Sequence, residues 1–562
     1  MTWLLDAGAD VHARNRRGST SLHWAMHDEA KVRVLLARGA AVNEKQVEGK
    51  TALAMAASLA NANPTLRLLL DHGADPSIAS AIGQTALMVA AGRGDVEAIQ
   101  LLIDKKADVN AKNGAGETAL MLAATDGNHK AVALLLDHGA DARVRTKRNE
   151  TALGNASTSG NEETVRLLLA RGAEVNVQNI RGFSPLMLAA SSDTTPAGVV
   201  KLLLANGANT AYTADYDETA RDLAAKRGDT AVTRLLGGPA AAKGVTPAVT
   251  HTANYGGGIS EAVEKSFGLL EKQSHNFIRI AGCNSCHSQD LVSAAAGLAR
   301  SKGLRAPGEI AQLPASMRPP AERLMDLDVV NPGTLGWELF DLGMNGVARN
   351  DYTDASIRYI KAMQTRSGSW SANESRRPPM NVGDFQFGAL AIYALKHYTP
   401  AAEQETTNEA VARAVVWLER ATPESTQDRA FQALGLAWAN ASEASVKNAA
   451  GALVAMQHGD GGWSQLPTLA SDAYATGQAL YALTVAEGIA PTDPRYRKGI
   501  DFLLRTQAAD GTWHVKSRSI WLQPYFESGF PYGRDQFISV AGTAWASMAL
   551  STAAAPTSST RR

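Results

Sequence analysis

The chain has 562 residues, of which 45% are hydrophobic, and its 55 acidic and 55 basic side chains give a formal net charge of zero. This length predicts two or three domains, and the balanced charge gives no electrostatic reason to expect nucleic acid or an anionic membrane as a partner. The sequence contains no run of about 18 apolar residues, so no transmembrane helix is predicted. The N-terminus lacks the basic leader and apolar core of a signal peptide.

The first part of the chain is an internal repeat with a period of 33 residues. The sequence of each unit predicts a turn, a short helix and a second helix, and each unit ends with a glycine. One such unit cannot bury its apolar face alone, so neighbouring units must stack. The helix starts, each followed by Ala-Leu or Pro-Leu, are Thr85, Thr118, Thr151 and Ser184. The turn positions are Gly83, Gly116 and Gly182, with Asn149 in the same register, and the closing glycines include Gly8, Gly73, Gly139, Gly172 and Gly207.

The stretch STSLHWA, from Ser19 to Ala25, resembles the ankyrin repeat, as does the pattern of the units around it. The resemblance implies a solenoid over residues 1–236 with about six full repeats and a partial repeat at each end. It also implies a protein partner bound by the surface of the stacked repeats. Surface positions are the default expectation for the histidines of this region: His12, His23, His72, His129 and His138.

Both ends of the solenoid carry further expectations. Met1 falls inside what would be a second helix, so we expect upstream sequence carrying a polar cap and an export signal. Residues 237–258 are rich in Gly, Pro, Ala and Thr and predict a flexible linker. Residues 551–562 predict a disordered tail.

Residues 259–550 predict a second helical region with a looser repeat. Three helix ends carry a glutamine, then a Gly-containing turn, then a tryptophan: Gln364 and Trp370, Gln457 and Trp463, Gln507 and Trp513. The glutamines are expected to bond to backbone and the tryptophans to stack on them, which would join neighbouring hairpins. Three apolar helices follow, beginning at Asp384, Asp428 and Asp472, 44 residues apart. Alternating polar and apolar helices predict a double ring.

These segments resemble the QW repeats of squalene and hopene cyclases, and the region resembles the alpha/alpha toroid of terpenoid cyclases and prenyltransferases. The overall fold class is therefore expected to be all-α, a solenoid followed by a toroid. The resemblance implies a cavity for a hydrophobic small molecule, but the family's Asp-x-Asp-Asp acid motif is absent. Asp472 is the weak candidate for a replacement acid. The alternative role for Asp384, Asp428 and Asp472 is helix N-capping, which their recurrence favours.

The stretch around Cys283 holds both cysteines of the chain in the pattern Cys-x-x-Cys-His. Covalent c-type haem requires such a pattern, with Cys283 and Cys286 forming thioethers and His287 supplying an axial nitrogen to iron. A zinc site would need four ligands, and a thioredoxin-like dithiol would need a strand before its helix. Two incidental buried cysteines are the remaining alternative. The pattern favours haem c.

The second axial ligand and the compartment follow from that hypothesis. Met317 is the candidate distal ligand, with His275, Met325 or an open position as alternatives. Haem of this type is attached in the bacterial periplasm; without haem, a cytoplasmic location is expected. Three functions remain open at this point: a redox or sensory module on a protein-binding scaffold, a cyclase-like enzyme using Asp472, and a purely structural interaction protein. Whether the chain is an enzyme stays open with them.

Overall fold

The computed structural model describes residues 1–26, 28–60, 62–194, 196–238, 258–281, 289–308, 321, 324, 332–370, 383–518 and 527–554. The described residues divide into two compact units, one containing residues 1–238 and the other containing residues 258–308 and 332–554. In the described ranges, secondary structure is helical, with isolated β-bridges but no β-strand. The predicted all-α class is confirmed. No described helix has the length and apolar character needed to cross a membrane.

The first unit is built of short helices that alternate between two positions of a repeat. Its helices are α1 (Thr2–Asp6), α2 (Ser21–Trp24), α3 (Glu29–Ala37), α4 (Ala52–Ala57), α5 (Asn63–Asp71), α6 (Ala86–Gly92), α7 (Val96–Asp104), α8 (Ala119–Thr125), α9 (His129–Asp137), α10 (Ala152–Ser159), α11 (Glu162–Ala170), α12 (Pro185–Ala190), α13 (Ala197–Ala205), α14 (Ala220–Ala225) and α15 (Ala231–Leu235). Each even-numbered helix from α4 to α12 packs on the next even-numbered one, which stacks the repeats.

Side-chain caps fix where the first helix of each repeat begins. Thr85, Thr118, Thr151 and Ser184 each accept a hydrogen bond from the backbone N–H three residues later. A cap of this kind satisfies one of the N–H groups that a helix start leaves unpaired. The 33-residue register of these residues is therefore the register of the helix starts.

A tight turn precedes each of these helices, and successive turns are joined to each other. The backbone is left-handed at Gly83 (φ +79°) and Gly116 (φ +90°), and Asn149 adopts the same region with φ +59°. Asparagine tolerates this conformation better than most residues, which explains why it can stand where the other repeats have glycine. The predicted equivalence of Asn149 with these glycines is confirmed.

The second unit contains longer helices. They are α16 (Ile259–Ala281), α17 (Leu291–Ser301), α18 (Pro332–Met344), α19 (Asp351–Met363), α20 (Asp384–Tyr398), α21 (Gln404–Arg420), α22 (Thr426–Trp438), α23 (Glu443–Val454), α24 (Ala473–Val485), α25 (Pro494–Thr506) and α26 (Gln536–Ala553). Short 3-10 turns at Ala401–Glu403 and Gly533–Asp535 precede α21 and α26.

Six helices of the second unit contact one another in cyclic order. Helix α17 packs on α18, followed by α20, α22, α24 and α26, and α26 packs back on α17. Each of α19, α21, α23 and α25 packs on two successive members of this ring, and α16 packs on α26 and α17. The ring helices α20, α24 and α26 are buried over most of their length, whereas the outer helices bury one side. The packing therefore forms an inner ring surrounded by outer helices.

Three glutamines connect successive outer helices. The Gln364 amide donates to the carbonyls of Gly368 (3.0 Å) in its own turn and Ala410 (2.8 Å) in α21. Gln457 bonds in the same way to Gly461 and to Arg495 of α25, both at 2.8 Å. Gln507 bonds to Gly511 and to Ala262 of α16, both at 2.9 Å, and so joins the last outer helix to the first. The predicted backbone bonding of the three glutamines is confirmed.

The three tryptophans make hydrogen bonds that the sequence did not predict, while their stacking on the glutamines stays a prediction. Each indole N–H donates to the carbonyl ten residues earlier: Trp370 to Ile360 (2.7 Å), Trp463 to Leu453 (2.8 Å) and Trp513 to Leu503 (2.9 Å). All three rings are at most 1% exposed. A buried indole needs a partner for its N–H, and here that partner is a carbonyl in the last turns of the preceding outer helix.

The glycine of each of these turns is required by close backbone approach. Gly511 has φ +91°, and a Cβ at this position would lie 2.6 Å from the carbonyl oxygen of Lys265 in α16. Gly368 and Gly461 are similarly placed over the carbonyls of Arg413 and Lys498. In the first of these turns Arg413 also donates two bonds, of 3.2 and 2.6 Å, to the amide oxygen of Gln364.

Candidate functional site

The haem-attachment candidates lie outside the described residues. This applies to Cys283, Cys286 and His287, and also to the distal candidates Met317 and Met325. Their predicted roles therefore stay predictions. In the part of the chain that the structure describes, no group of three or more His, Cys, Asp or Glu side chains is arranged to hold a metal ion.

The helix that leads into the Cys-x-x-Cys-His stretch ends at a defined place in the ring. Helices α16 and α26 run antiparallel, because Ser266 bonds to Ser547 (2.7 Å) near one end and Phe277 contacts Phe537 (ring centroids 5.9 Å apart) near the other. Helix α16 therefore ends, at Ala281, on the side of the ring where α26 begins. Beyond the stretch, Gln289 is buried and donates to the Ser274 carbonyl at 3.2 Å.

His275 is the described candidate for an axial ligand. Its Nδ1 lies 2.9 Å from the carbonyl oxygen of Glu271, one turn earlier on α16, and its side chain is exposed. Because a carbonyl can only accept, Nδ1 carries the proton and Nε2 of the neutral ring is left with the lone pair that binds metal.

Asp472, the candidate acid, caps a ring helix. It is the N-cap residue of α24, and one carboxylate oxygen accepts from the Ala475 N–H at 2.9 Å. The other oxygen accepts from the Gln465 amide at 2.8 Å, and the Gln465 oxygen in turn accepts from the buried Arg518. Burial raises the pKa of the Asp472 carboxyl to about 6, although these hydrogen bonds and the Arg518 charge oppose the increase.

The other two aspartates of the 44-residue series hold different helix positions. Asp428 is the third residue of α22, where it bonds back to the N–H of Ser425, the true N-cap, at 3.1 Å. Asp384 is the first residue of α20, and the N-cap is Gly383. The N-cap prediction is thus confirmed for Asp472 and wrong for Asp384 and Asp428, because the equal spacing does not correspond to equal places on the helices.

A buried polar network joins three ring helices near their first turns. The Tyr474 hydroxyl of α24 donates to the Gln427 amide oxygen of α22 at 2.6 Å, and the Gln478 amide approaches the same oxygen at 3.3 Å. Gln427 in turn reaches Gln386 of α20 at 3.3 Å. All four side chains are at most 5% exposed, and the Gln478 oxygen has no hydrogen-bond partner among the described residues. Sequence reasoning missed this network, although glutamines within otherwise apolar helices were the signal for it.

Aromatic side chains meet across the middle of the ring. Trp337 of α18, Phe431 of α22 and Trp545 of α26 contact one another edge to face, with centroids 6.0 to 6.2 Å apart. These helices alternate around the ring, so none of the three is a direct neighbour of the others. The three side chains therefore occupy the ring axis at this level. Edge-to-face pairs of this kind are favourable arrangements for aromatic packing.

The surface of the first unit offers a row of turns rather than a pocket. The backbone N–H at the tip of each turn donates to a carbonyl of the preceding tip, for example Ala81 to Glu48 (2.7 Å), Gly114 to Ile82 (2.8 Å) and Ile180 to Arg148 (3.0 Å). Such bonding holds the tips side by side in one row. The apolar side chains of Val47, Ile82 and Ile180 are 68%, 63% and 64% exposed on it.

One histidine of this unit departs from the surface position expected for it. His23 is 1% exposed, and its Nδ1 lies 3.1 Å from the Thr20 N–H, closing a capping box at the start of α2. Its Nε2 lies 3.1 Å from the Glu44 carbonyl of the next repeat. The surface expectation is wrong for His23 because a cap and an inter-repeat bond use both ring nitrogens.

Comparison with known proteins places the first unit in a class of repeat proteins. The ankyrin-repeat family, described as "Ankyrin repeats (3 copies)", matches residues 1–80, 61–146, 87–179 and 153–246. A "Putative ankyrin repeat-containing protein" of Treponema pallidum (strain Nichols) is 36% identical over 93 residues, which are 16% of this chain and 31% of that protein. "Protein PhlB" of Serratia liquefaciens is 45% identical over 91 residues, 16% of this chain and 40% of that protein.

The N-terminal unit is therefore an ankyrin-repeat solenoid, as the sequence predicts. The chain spans well under half the length of both curated relatives. Among solved structures, the human ASB11 ankyrin repeat domain is 24% identical, with a TM-score of 0.35 over 40% of this chain and 100% of that domain.

Proposed function

We propose that this protein is a protein-binding ankyrin scaffold joined to an alpha/alpha toroid that carries one c-type haem, and that it acts as a redox or sensory module. The single observation behind the haem is that both cysteines of the chain fall in one Cys-x-x-Cys-His stretch. The two cysteines would hold the porphyrin as thioethers, and His287 would bind the iron. When bound, such a group supplies an iron centre for one-electron transfer or for binding a small ligand.

The toroid part of the proposal is supported by the cyclic packing of the second unit. Six inner helices close on themselves, and outer helices lie between successive inner ones. The Gln507 bond to Ala262 connects the last and first outer helices, which are 245 residues apart in sequence. The ring and this bond form without the Asp-x-Asp-Asp acid motif of the cyclases, so the toroid can be proposed without cyclase activity.

Several contacts favour the haem hypothesis over a cyclase-like enzyme. The Asp472 carboxylate uses both oxygens in hydrogen bonds to Ala475 and Gln465, as a structural cap does. The triad of Trp337, Phe431 and Trp545 fills the axis where a hydrophobic substrate would have to pass. The raised pKa of Asp472 suits a general acid. A general acid must also contact its substrate, however, and both oxygens of this carboxylate are already used in hydrogen bonds.

The placement of α16 supports a haem at the rim of the ring. Helix α16 ends at Ala281, before the Cys-x-x-Cys-His stretch, and α17 begins at Leu291, after it. Both helices pack on α26. Met317 is the proposed distal ligand, with His275, Met325 or an open position as the alternatives; of these residues His275 is the described one, on α16 with its Nδ1 2.9 Å from the Glu271 carbonyl. Haem attachment would place the mature protein in the periplasm.

The test is expression of the full chain behind a periplasmic signal in a host that matures c-type cytochromes. A denaturing gel stained for haem peroxidase activity should show a band at the mass of the chain. The band should disappear in Cys283→Ala/Cys286→Ala, and Asp472→Asn should leave it unchanged. A colourless product with two titratable thiols would refute the haem proposal. His275→Ala and Met317→Ala then identify the distal ligand, because only the true ligand's loss should shift the reduced spectrum.

A further inference from the structure

One turn of the ankyrin unit, at residues 143–148, carries a local excess of positive charge although the chain as a whole is neutral. Four basic residues fall within the six positions of residues 143–148, and all four side chains are exposed: Arg143, Arg145, Lys147 and Arg148. Arg143, Arg145 and Lys147 are two residues apart, while Thr146 between them is buried. Residues 142–143 and 147–148 lie in two turns joined by residues 144–146, so the four exposed cations fall within one short surface segment.

Neighbouring acids neutralise only part of this charge. Arg145 pairs with Glu174 at 2.7 Å, and this pair is exposed. The Glu150 carboxylate accepts from the Thr146 hydroxyl at 3.4 Å. In the ranges that the structure covers, Lys147 and Arg148 make no side-chain hydrogen bond or ion pair. An exposed surface pair such as Arg145 with Glu174 contributes little and can be exchanged for another partner.

The preceding tip extends the same patch. Lys112 is exposed at the base of that turn and also lacks an acidic partner within the described part of the unit. The tip itself is formed by Gly114, which has no side chain, and Ala115, which has a single methyl group; the Lys147 N–H donates to the Ala115 carbonyl at 3.0 Å. A partner can therefore lie flat across this tip and reach the cations of the next one.

Exposed isoleucines flank the basic patch on the same row. Ile82 is 63% exposed on the tip before Gly114, and Ile180 is 64% exposed on the tip after Arg148. Packed helical repeats are spaced by about 10 Å, so the three steps from Ile82 to Ile180 cover about 30 Å. An extended chain rising about 3.3 Å per residue spans that distance with about nine residues.

We propose that the ankyrin unit binds an extended acidic protein segment of about nine residues, with an apolar side chain near each end. The acidic centre would lie on Lys112, Lys147 and Arg148, and the apolar ends on Ile82 and Ile180. This proposal rests on the scaffold function proposed above and specifies the chemistry of its partner. Opposite charge selects the partner and accelerates its binding, and the isoleucines fix its position along the row.

The test uses the full chain and a fluorescent peptide of about twelve residues, with a central block of glutamates and a leucine cluster at each end. Fluorescence anisotropy at low salt gives the dissociation constant. The variant Lys147→Glu/Arg148→Glu should weaken binding at least tenfold, and Ile82→Ser/Ile180→Ser should weaken it severalfold. The control Lys130→Glu/Lys201→Glu makes the same charge change at exposed sites on α9 and α13, away from the row, and should have no effect.

The competing outcomes are distinguishable. If a peptide with glutamine in place of glutamate binds equally well, the acidic preference is wrong while the scaffold function stands. If the acidic peptide shows no binding, or if the control reversal weakens it as much as the tip reversal, the proposed surface is wrong. Tighter binding of a duplex oligonucleotide than of the peptide would assign the patch to nucleic acid instead. Haem staining is unaffected by any of these results.

Discussion

Replacing Gln507 by leucine removes the bond that joins the last outer helix to the first. The amide donates to the carbonyls of Ala262 and Gly511, both at 2.9 Å, and the side chain is fully buried. Leucine has a similar volume but leaves both carbonyls without this donor. A buried group that loses its partner costs about 1 to 1.5 kcal/mol in this setting, so the second unit should lose about 2 to 3 kcal/mol.

Urea unfolding followed by tryptophan fluorescence measures this loss. Eight of the ten tryptophans follow residue 330, so the signal reports mainly the second unit. The matched control is Gln457→Leu, which breaks the same pair of bonds at a half-buried position where water can replace the amide. We expect the control to lose less than about 1 kcal/mol. Equal losses in both variants, or no measurable loss in Gln507→Leu, would contradict the role assigned to ring closure.

Three further changes test neighbouring parts of the ring. The Gln507 oxygen has no partner among the described residues, and Lys265 holds the position that Arg413 holds beside Gln364, where Arg413 donates to the glutamine oxygen. Lys265→Arg should therefore raise the free energy of unfolding by about 1 kcal/mol; an unchanged urea midpoint would argue against that equivalence. Gly511→Ala adds a backbone clash to the strain of positive φ and should cost more than Gly346→Ala, where φ is +70° and nothing lies within 4 Å; equal costs would show that the turn relaxes. The raised pKa of Asp472 means that the folded state binds the extra proton, so stability should fall as pH rises from 3.8 to about 6, by up to about 3 kcal/mol relative to Asp472→Asn; parallel pH profiles of the two proteins would contradict it.

The features that the sequence predicts well are those fixed by local backbone chemistry. Thr118 and Ser184 mark helix starts because a hydroxyl cap has a strict place relative to the first turn. Asn149 could be matched to glycine because both tolerate positive φ. Gln364 could be assigned a backbone partner because it sits at a helix end before a tight turn.

The features that the sequence did not predict depend on contacts between distant segments. The network of Gln386, Gln427 and Tyr474 forms only when three ring helices start at the same level. The 44-residue spacing of Asp384 and Asp428 suggested equivalent caps, but loop lengths between the helices differ and shift the residues relative to their helix starts. Charge counts over the whole chain concealed the local excess at residues 143–148.

The central claim, that the second unit carries a covalent haem, is tested most directly by the intact mass of the exported protein. The account predicts the mass of the polypeptide plus one haem, and the mass of the polypeptide alone for Cys283→Ala/Cys286→Ala. An exported wild-type chain with the bare polypeptide mass, from cells that load a co-expressed cytochrome c, would contradict it.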